Sequence, residues 1–264
     1  MIRAMKTVLM AICLFAATRP MAWGALLATD NAGNYSSWAN GNNLGSGFGA
    51  WALSGSDNSG FFLGDSAQNG APIPSGNINT SGKAWGLFAN SGTTASAVRP
   101  FTGSALAANE QFLIRMDNGN IQSGGTVGFA LQNSSSVNRF EFYFVGGGSD
   151  YTINFGGTII NTGIGFTDDG ISLVFAQGAA NAWALDVTPA GGSTSHFSGT
   201  LAASDIAQLR LFNANAGNGG ANNAFYNDIQ VVPEPANVAL AIFGGLASLV
   251  FLARAWKNIS VRIA

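Results

Sequence analysis

Arg139-Phe140-Glu141-Phe142-Tyr143-Phe144-Val145 is the stretch that decides the fold. Its three phenylalanines occupy alternate positions, with Arg139, Glu141 and Tyr143 on the others. Successive side chains of an extended chain point to opposite sides, so a period of two puts the rings on one face of a β-strand and the polar groups on the other. Residues 111–117 repeat the pattern, with Phe112, Ile114 and Met116 expected inward and Arg115 and Asp117 outward. Shorter segments of the same kind lie at 51–53, 60–63, 84–88, 127–132, 151–155, 170–176, 182–188, 195–201, 207–213 and 224–232. Turn residues punctuate them: Asp117-Asn118-Gly119, Ser123-Gly124-Gly125, Gly146-Gly147-Gly148, Asp168-Asp169-Gly170, the run from Pro189 to Gly192 and that from Gly217 to Gly220. One helical turn is expected at 202–207 and a long loop at 33–50. No repeat of fixed period appears, which excludes propellers and solenoids. Residues 25–232 are therefore expected to fold as an all-β domain, one antiparallel β-sandwich.

Composition narrows the function classes. Charged residues make up 9% of the chain, against the usual quarter, and Gly supplies 36 of 264 residues. Between Ala25 and Val232 there are five basic residues against twelve acidic ones, a balance of minus seven. That excludes a nucleic-acid partner, which requires phosphate-neutralising basic patches. Nineteen phenylalanines and many alternating apolar runs exclude disorder. The single cysteine, Cys13, lies near the N-terminus, so the body has no disulfide, thiolate metal site or cysteine nucleophile.

Both ends of the chain read as targeting segments. Arg3 and Lys6 precede an apolar stretch at 8–17, and Ala22 and Gly24 supply small residues ahead of a cleavage site placed before Ala25. Residues 1–24 are thus expected to be a signal peptide. At the other end, Pro233-Glu234-Pro235 closes the polar body and residues 236–253 carry no charge. That is long enough to cross a bilayer core as one transmembrane helix. Arg254, Lys257 and Arg262 flank the span in a basic tail, 254–264, which they should hold in the cytoplasm. Motif, span and basic flank in this order resemble the PEP-CTERM sorting signal of bacteria that make exopolysaccharide. The resemblance implies export, an inner-membrane anchor with a periplasmic ectodomain, processing by an exosortase-like enzyme that reads Pro233, Glu234 and Pro235, and delivery to the cell surface or extracellular matrix. The basic residues here are more dispersed than in that family.

The body resembles the jelly-roll ectodomains that often precede this signal. The resemblance rests on the stretches 28–35, 47–51, 81–88 and 225–228. It implies a concanavalin-like sandwich, an architecture often used to bind glycans.

Catalytic chemistry is sparse. A sandwich glycosidase needs two carboxylates facing one cleft, about 5–9.5 Å apart. The strand at 139–145 carries one, Glu141, expected to pair with Arg139 or with a neighbouring strand. His196 is the only histidine and is expected to be exposed; nothing around it resembles a nucleophile elbow. Turn carboxylates and amides at Asp150, Asp168, Asp169, Asn227 and Asp228 are candidate calcium ligands, since calcium takes hard oxygen donors. The same residues also make turns without metal. Among the tryptophans, Trp51, Trp85 and Trp183 sit in apolar strands and are expected in the core. Trp38, with Tyr35, lies among Asn40, Asn42 and Asn43 and is the candidate exposed platform for a sugar ring.

These features favour a non-enzymatic structural or interaction protein of the cell surface or exopolysaccharide matrix. A carbohydrate-binding module is the alternative, and a glycoside hydrolase a remote third. The sorting motif can be tested directly. A stiff stalk tolerates loss of the Glu234 charge, whereas a recognition site does not. Glu234→Gln should leave export and folding intact while the full-length, membrane-retained form accumulates in a host holding the sorting enzyme. Equal mass and equal membrane fraction for variant and parent would reduce the motif to a linker.

Overall fold

The computed structural model describes residues 26–69, 78–103 and 105–233. They form two antiparallel sheets packed face to face, as the alternation predicts. The first sheet has eight strands. Seven run in the order β13 (Ser195–Thr200), β12 (Ala182–Pro189), β11 (Ile171–Gln177), β6 (Glu110–Asn118), β15 (Ala224–Pro233), β4 (Ala84–Ala89) and β3 (Ser59–Gly64), and β1 (Ala28–Asp30) joins β15. The second sheet has seven, in the order β10 (Thr158–Gly165), β9 (Asp150–Phe155), β8 (Asn138–Val145), β7 (Thr126–Gln132), β14 (Gln208–Ala214), β5 (Thr94–Pro100) and β2 (Ala52–Gly55). β15 sits inside its sheet. It pairs with β6 along one edge, and its other edge is shared by β4, opposite Ala224 to Tyr226, and β1, opposite Ile229 to Val231.

Register carries the alternation of each strand into the core. Phe140, Phe142 and Phe144 stand opposite Leu131, Phe129 and Val127, while Phe112 and Ile114 stand opposite Phe175 and Leu173. Phe140 of one sheet meets Phe175 of the other at 4.9 Å between ring centroids. Phe142 stacks on Tyr151 at 5.1 Å. Phe112, Phe129, Phe140, Phe142 and Ile114 are all buried together.

Three expectations are corrected. Asp117 keeps the outward parity of its strand but is buried rather than exposed. Its cross-strand neighbour Phe225 packs with Ile78, Ala84 and Phe62 in a second apolar cluster, so the sheet is covered there. Residues 202–207 make no helical turn. Their backbone is taken up by other segments, the Ala207 N–H donating to Gln132 and the Ile206 carbonyl accepting from Leu106, each at 2.7 Å. Three strands escape the periodicity, namely β1, β5 and β10. In β5 the inward positions are Ala95, Ala97 and a fully buried Arg99, which leaves no apolar alternation to see.

Polar groups span the core between the sheets at four places. Arg99 of β5 bonds Asp30 of β1, both with wholly buried side chains. Tyr226 of β15 reaches the carbonyls of Gly128 and Phe212 at 2.8 and 3.0 Å. Tyr151 of β9 donates to Asn118 of β6 at 2.7 Å. Asn213 of β14 donates to the Leu87 carbonyl of β4 at 3.0 Å. Burial raises the pKa of both tyrosines well above the usual phenol value.

Pro233 is the last residue of β15, opposite Glu110. The expected signal peptide, Glu234 and Pro235, the span at 236–253 and the tail with Arg254, Lys257 and Arg262 lie outside the described residues. Among the described residues no helix is long and apolar enough to cross a membrane.

The core makes a two-armed prediction for chemical unfolding. Phe142→Ala should cost about 3–5 kcal/mol through the cavity it leaves. Asp30→Ala removes little apolar surface yet should cost about 3–5 kcal/mol, because it strands a buried guanidinium. A loss under about 1 kcal/mol for Asp30→Ala would show that Arg99 does not depend on its partner.

Candidate functional site

The outer face of the seven-stranded sheet gathers the polar side chains that the core excludes. Two cross-strand rows define it. The first runs Asn154, Glu141, Ala130, Arg210 and Val98 across β9, β8, β7, β14 and β5. The second runs Thr152, Tyr143, Gly128, Phe212 and Ser96 across the same strands. The middle strand contributes only Ala130 and Gly128, both buried, between larger residues on either side. Ala130 has no exposure at all, so this strip is a floor closed to solvent and lies between part-exposed walls, Glu141 and Tyr143 on β8 and Arg210 on β14. A Cβ on Gly128 would lie 2.3 Å from the Phe142 carbonyl oxygen, so the floor admits no side chain there. Tyr226 braces the same floor from the core side through its contacts to Gly128 and Phe212.

A chain of side-chain hydrogen bonds fixes one end of the face. Gln208 donates to Gln132 at 2.9 Å, Gln132 to Asn138 at 2.7 Å, and Asn138 to one oxygen of Glu141 at 2.5 Å. Asn154 donates to the other Glu141 oxygen at 2.8 Å. Glu141 is thus held by two amides, one of them on the neighbouring strand, and not by Arg139. Arg139 instead grips Asp205 with two bonds, at 2.6 and 2.9 Å. Across the floor from Glu141, Arg210 donates through Nε to Ser96 at 3.0 Å, and its guanidinium lies 5.1 Å from the centre of the Phe212 ring. Tyr143 stands beside Glu141, and its phenol pKa is raised by partial burial and then by the Glu141 charge.

The residues expected to contact glycan lie elsewhere. Trp38 and Tyr35 are buried at 6% and 2% exposure and cannot form an exposed platform. Trp38 packs edge-on against Trp51 and Phe61, at 5.2 and 5.6 Å between centroids. The Tyr35 hydroxyl bonds the carboxylate of Asp30. Their loop is polar in sequence but folds over Arg99, whose guanidinium donates to the Tyr35 hydroxyl at 3.0 Å and lies 5.0 Å from the Trp51 ring against which Trp38 packs. Trp51, Trp85 and Trp183 are in the core, as expected.

The calcium candidates are not brought together. Asp150 opens β9, Asp168 and Asp169 sit in the turn before β11, and Asp228 lies at the irregular step of β15. There Asp228 accepts from Thr80 at 2.8 Å and pairs with Arg115 at 3.3 Å. Asn227, beside it, donates to the carbonyls of Ile78 and Lys83. Among the described residues no three His, Cys, Asp or Glu side chains form a group able to hold a metal ion. His196 is exposed on β13 and bonds Asp186 at 2.7 Å. A cleft of about 250 Å³ lies on the eight-stranded sheet beside Arg115, Ser172 and Thr188.

No protein-family model matches the chain, and no curated protein sequence does. Solved structures resemble its fold. The catalytic domain of a glycoside hydrolase family 131 protein from Coprinopsis cinerea aligns with a TM-score of 0.53 at 14% identity, over 80% of this chain and 96% of that one. A carbohydrate esterase of a Shiga toxin-encoding bacteriophage aligns with a TM-score of 0.47 at 16% identity, over 70% and 90%. A lectin from Bauhinia forficata, in complex with GalNAc, aligns with a TM-score of 0.38 at 10% identity, over 77% and 96%. At 14% identity the likeness to the glycoside hydrolase domain is one of fold alone.

Sequence periodicity had already placed Glu141 and Tyr143 on an outer face. Arg210, Phe212 and the small floor residues carried no local signal, because their role depends on which strands lie side by side. The Arg139–Asp205 pair at the end of this face gives a titration test. The guanidinium holds the Asp205 carboxyl down, at about 2. Its contribution is therefore present above the ordinary carboxylate range and is lost as pH falls toward 2. A carbon-13 titration of Asp205 should find its midpoint near 2, and Arg139→Gln should return it to about 4. On this exposed surface the effect on stability should be slight.

Proposed function

We propose that this chain is an exported, sorted protein of the cell surface or exopolysaccharide matrix, and that its sandwich contacts glycan without catalysing a reaction on it. The observation that carries the glycan part is the outer face of the seven-stranded sheet. A sugar offers hydroxyls that donate and accept, and ring C–H faces that pack on apolar and aromatic surface. The face supplies both kinds of partner, with amides and a carboxylate at one end and the part-exposed ring of Tyr143 beside them. The hydrogen-bonded chain from Gln208 to Glu141 holds those groups in place, so little side-chain freedom is lost when a ligand settles.

The same geometry favours binding over hydrolysis. Both oxygens of Glu141 accept amide bonds, and its cross-strand neighbours are Ala130 and Asn154, so no second carboxylate stands beside it in its row. A two-carboxylate glycosidase mechanism needs that second group. The glycoside hydrolase named above shares the architecture, and the likeness is of fold alone. Export and sorting rest on the two terminal segments and the Pro233-Glu234-Pro235 motif, with an exosortase-like enzyme and the membrane as partners.

Glycan-array binding of the full chain tests the proposal. Tyr143→Ala should weaken binding to whichever glycan is captured by roughly 10-fold, about 1.4 kcal/mol, while the far-UV circular dichroism stays that of a β-protein. Trp38→Phe, a change inside the core, should leave affinity within about 2-fold. No binding to any glycan, or equal binding by the Tyr143 variant, would overturn the assignment of this face.

A further inference from the structure

Arg210 stands apart from the other cations of the sandwich. Arg99 is paired with Asp30, Arg115 with Asp228 and Arg139 with Asp205, and Lys83 donates to the Tyr35 carbonyl at 2.5 Å. Arg210 makes no ion pair with a carboxylate among the described residues. Its Nε is committed to Ser96 and its plane lies against Phe212. An arginine carries five donors in a rigid fork and is charged at any ordinary pH. Anchoring Nε and the plane fixes where the remaining donors point, yet gives them no anionic acceptor. An unpaired guanidinium is uncommon in a body with twelve acidic residues against five basic ones.

We infer that the face takes an acidic glycan, with Arg210 holding the carboxylate of a uronic-acid unit. The inference rests on the glycan-contact reading of this face and names the class of sugar. The two walls are electrostatically unlike. Arg210 and Glu141 flank Ala130 from opposite sides, two strand spacings or roughly 10 Å apart. A uronate must turn its carboxylate toward Arg210, where a guanidinium offers charge-assisted and bidentate hydrogen bonds. Its hydroxyls then face Glu141, whose oxygens each hold one amide donor and retain further acceptor sites. The walls thus select one orientation as well as one charge. The acidic balance of the body opposes a polyanion at long range. At about 0.15 M salt the Debye length is about 8 Å, so the local field of Arg210 governs the contact.

The test uses the full chain in detergent at about 0.15 M salt. Its binding to polygalacturonate and to alginate is compared with binding to the carboxyl-reduced, neutral form of each. At least one acidic polymer should bind on the order of 10-fold more tightly than its reduced form. Arg210→Gln should abolish that difference, and Arg210→Lys should keep part of it. If Arg210→Gln does not fold, the acidic-against-neutral comparison on the parent chain decides alone. Equal affinity for acidic and reduced polymers would overturn the uronate inference and leave the glycan reading standing. Failure to bind these polymers or any glycan on the array would overturn both.

Discussion

A guanidinium buried between two sheets is the constraint around which one end of this molecule is organised. Arg99 cannot shed its charge, and no part of its side chain reaches solvent, so the fold must surround it with acceptors. It does so with the Asp30 carboxylate and with the carbonyls of Leu44 and Gly49, at 2.6 and 3.0 Å. Phe48 and Trp51 cover the guanidinium at 5.1 and 5.0 Å. These groups come from β1, from the loop that follows it and from β2's approach. Holding them in place ties the first strand to β15 and fixes the path of the whole loop.

That constraint removes one candidate binding surface and leaves another. A loop rich in Asn, Gly and Ser, with Tyr35 and Trp38 in it, has the composition of an exposed binding loop. Folded over Arg99, it becomes a plug. The Tyr35 hydroxyl bonds Asp30, burial raises its pKa, and Trp38 enters an aromatic cluster with Trp51, Trp85 and Phe61. The polar groups and the part-exposed Tyr143 that we propose meet a ligand are on the outer side of the seven-stranded sheet. They stand on strands rather than on a loop, braced from beneath by Tyr226 and laterally by the amide chain. Preorganisation of this kind lowers the ordering cost of binding, which supports the glycan contact proposed for this face.

The periodicity of two was legible along Phe140, Phe142 and Phe144 and along Phe112, Ile114 and Met116, and it placed them correctly. It failed where the buried residue is polar or small. β5 turns Arg99 inward between alanines, so its inside face has no apolar signature. Asp117 follows the outward parity of its strand, but a second apolar cluster roofs that part of the sheet. Glu141 was visible as an outward acid, while its holders, Asn138 and Asn154, depended on the register of β8 against β9.

By itself, the sequence determined the class of the fold and the identity of the main core strands. Those follow from side-chain alternation and composition, which are local properties of the chain. It also carries the terminal segments from which export and sorting are proposed. Only the tertiary structure decided which polar residues share a surface. Arg210 and Glu141 lie 69 positions apart in the chain, yet flank one alanine because β7 lies between their strands. Strand order and register are set by the packing of two whole sheets around a shared core, and no short window of sequence contains that information.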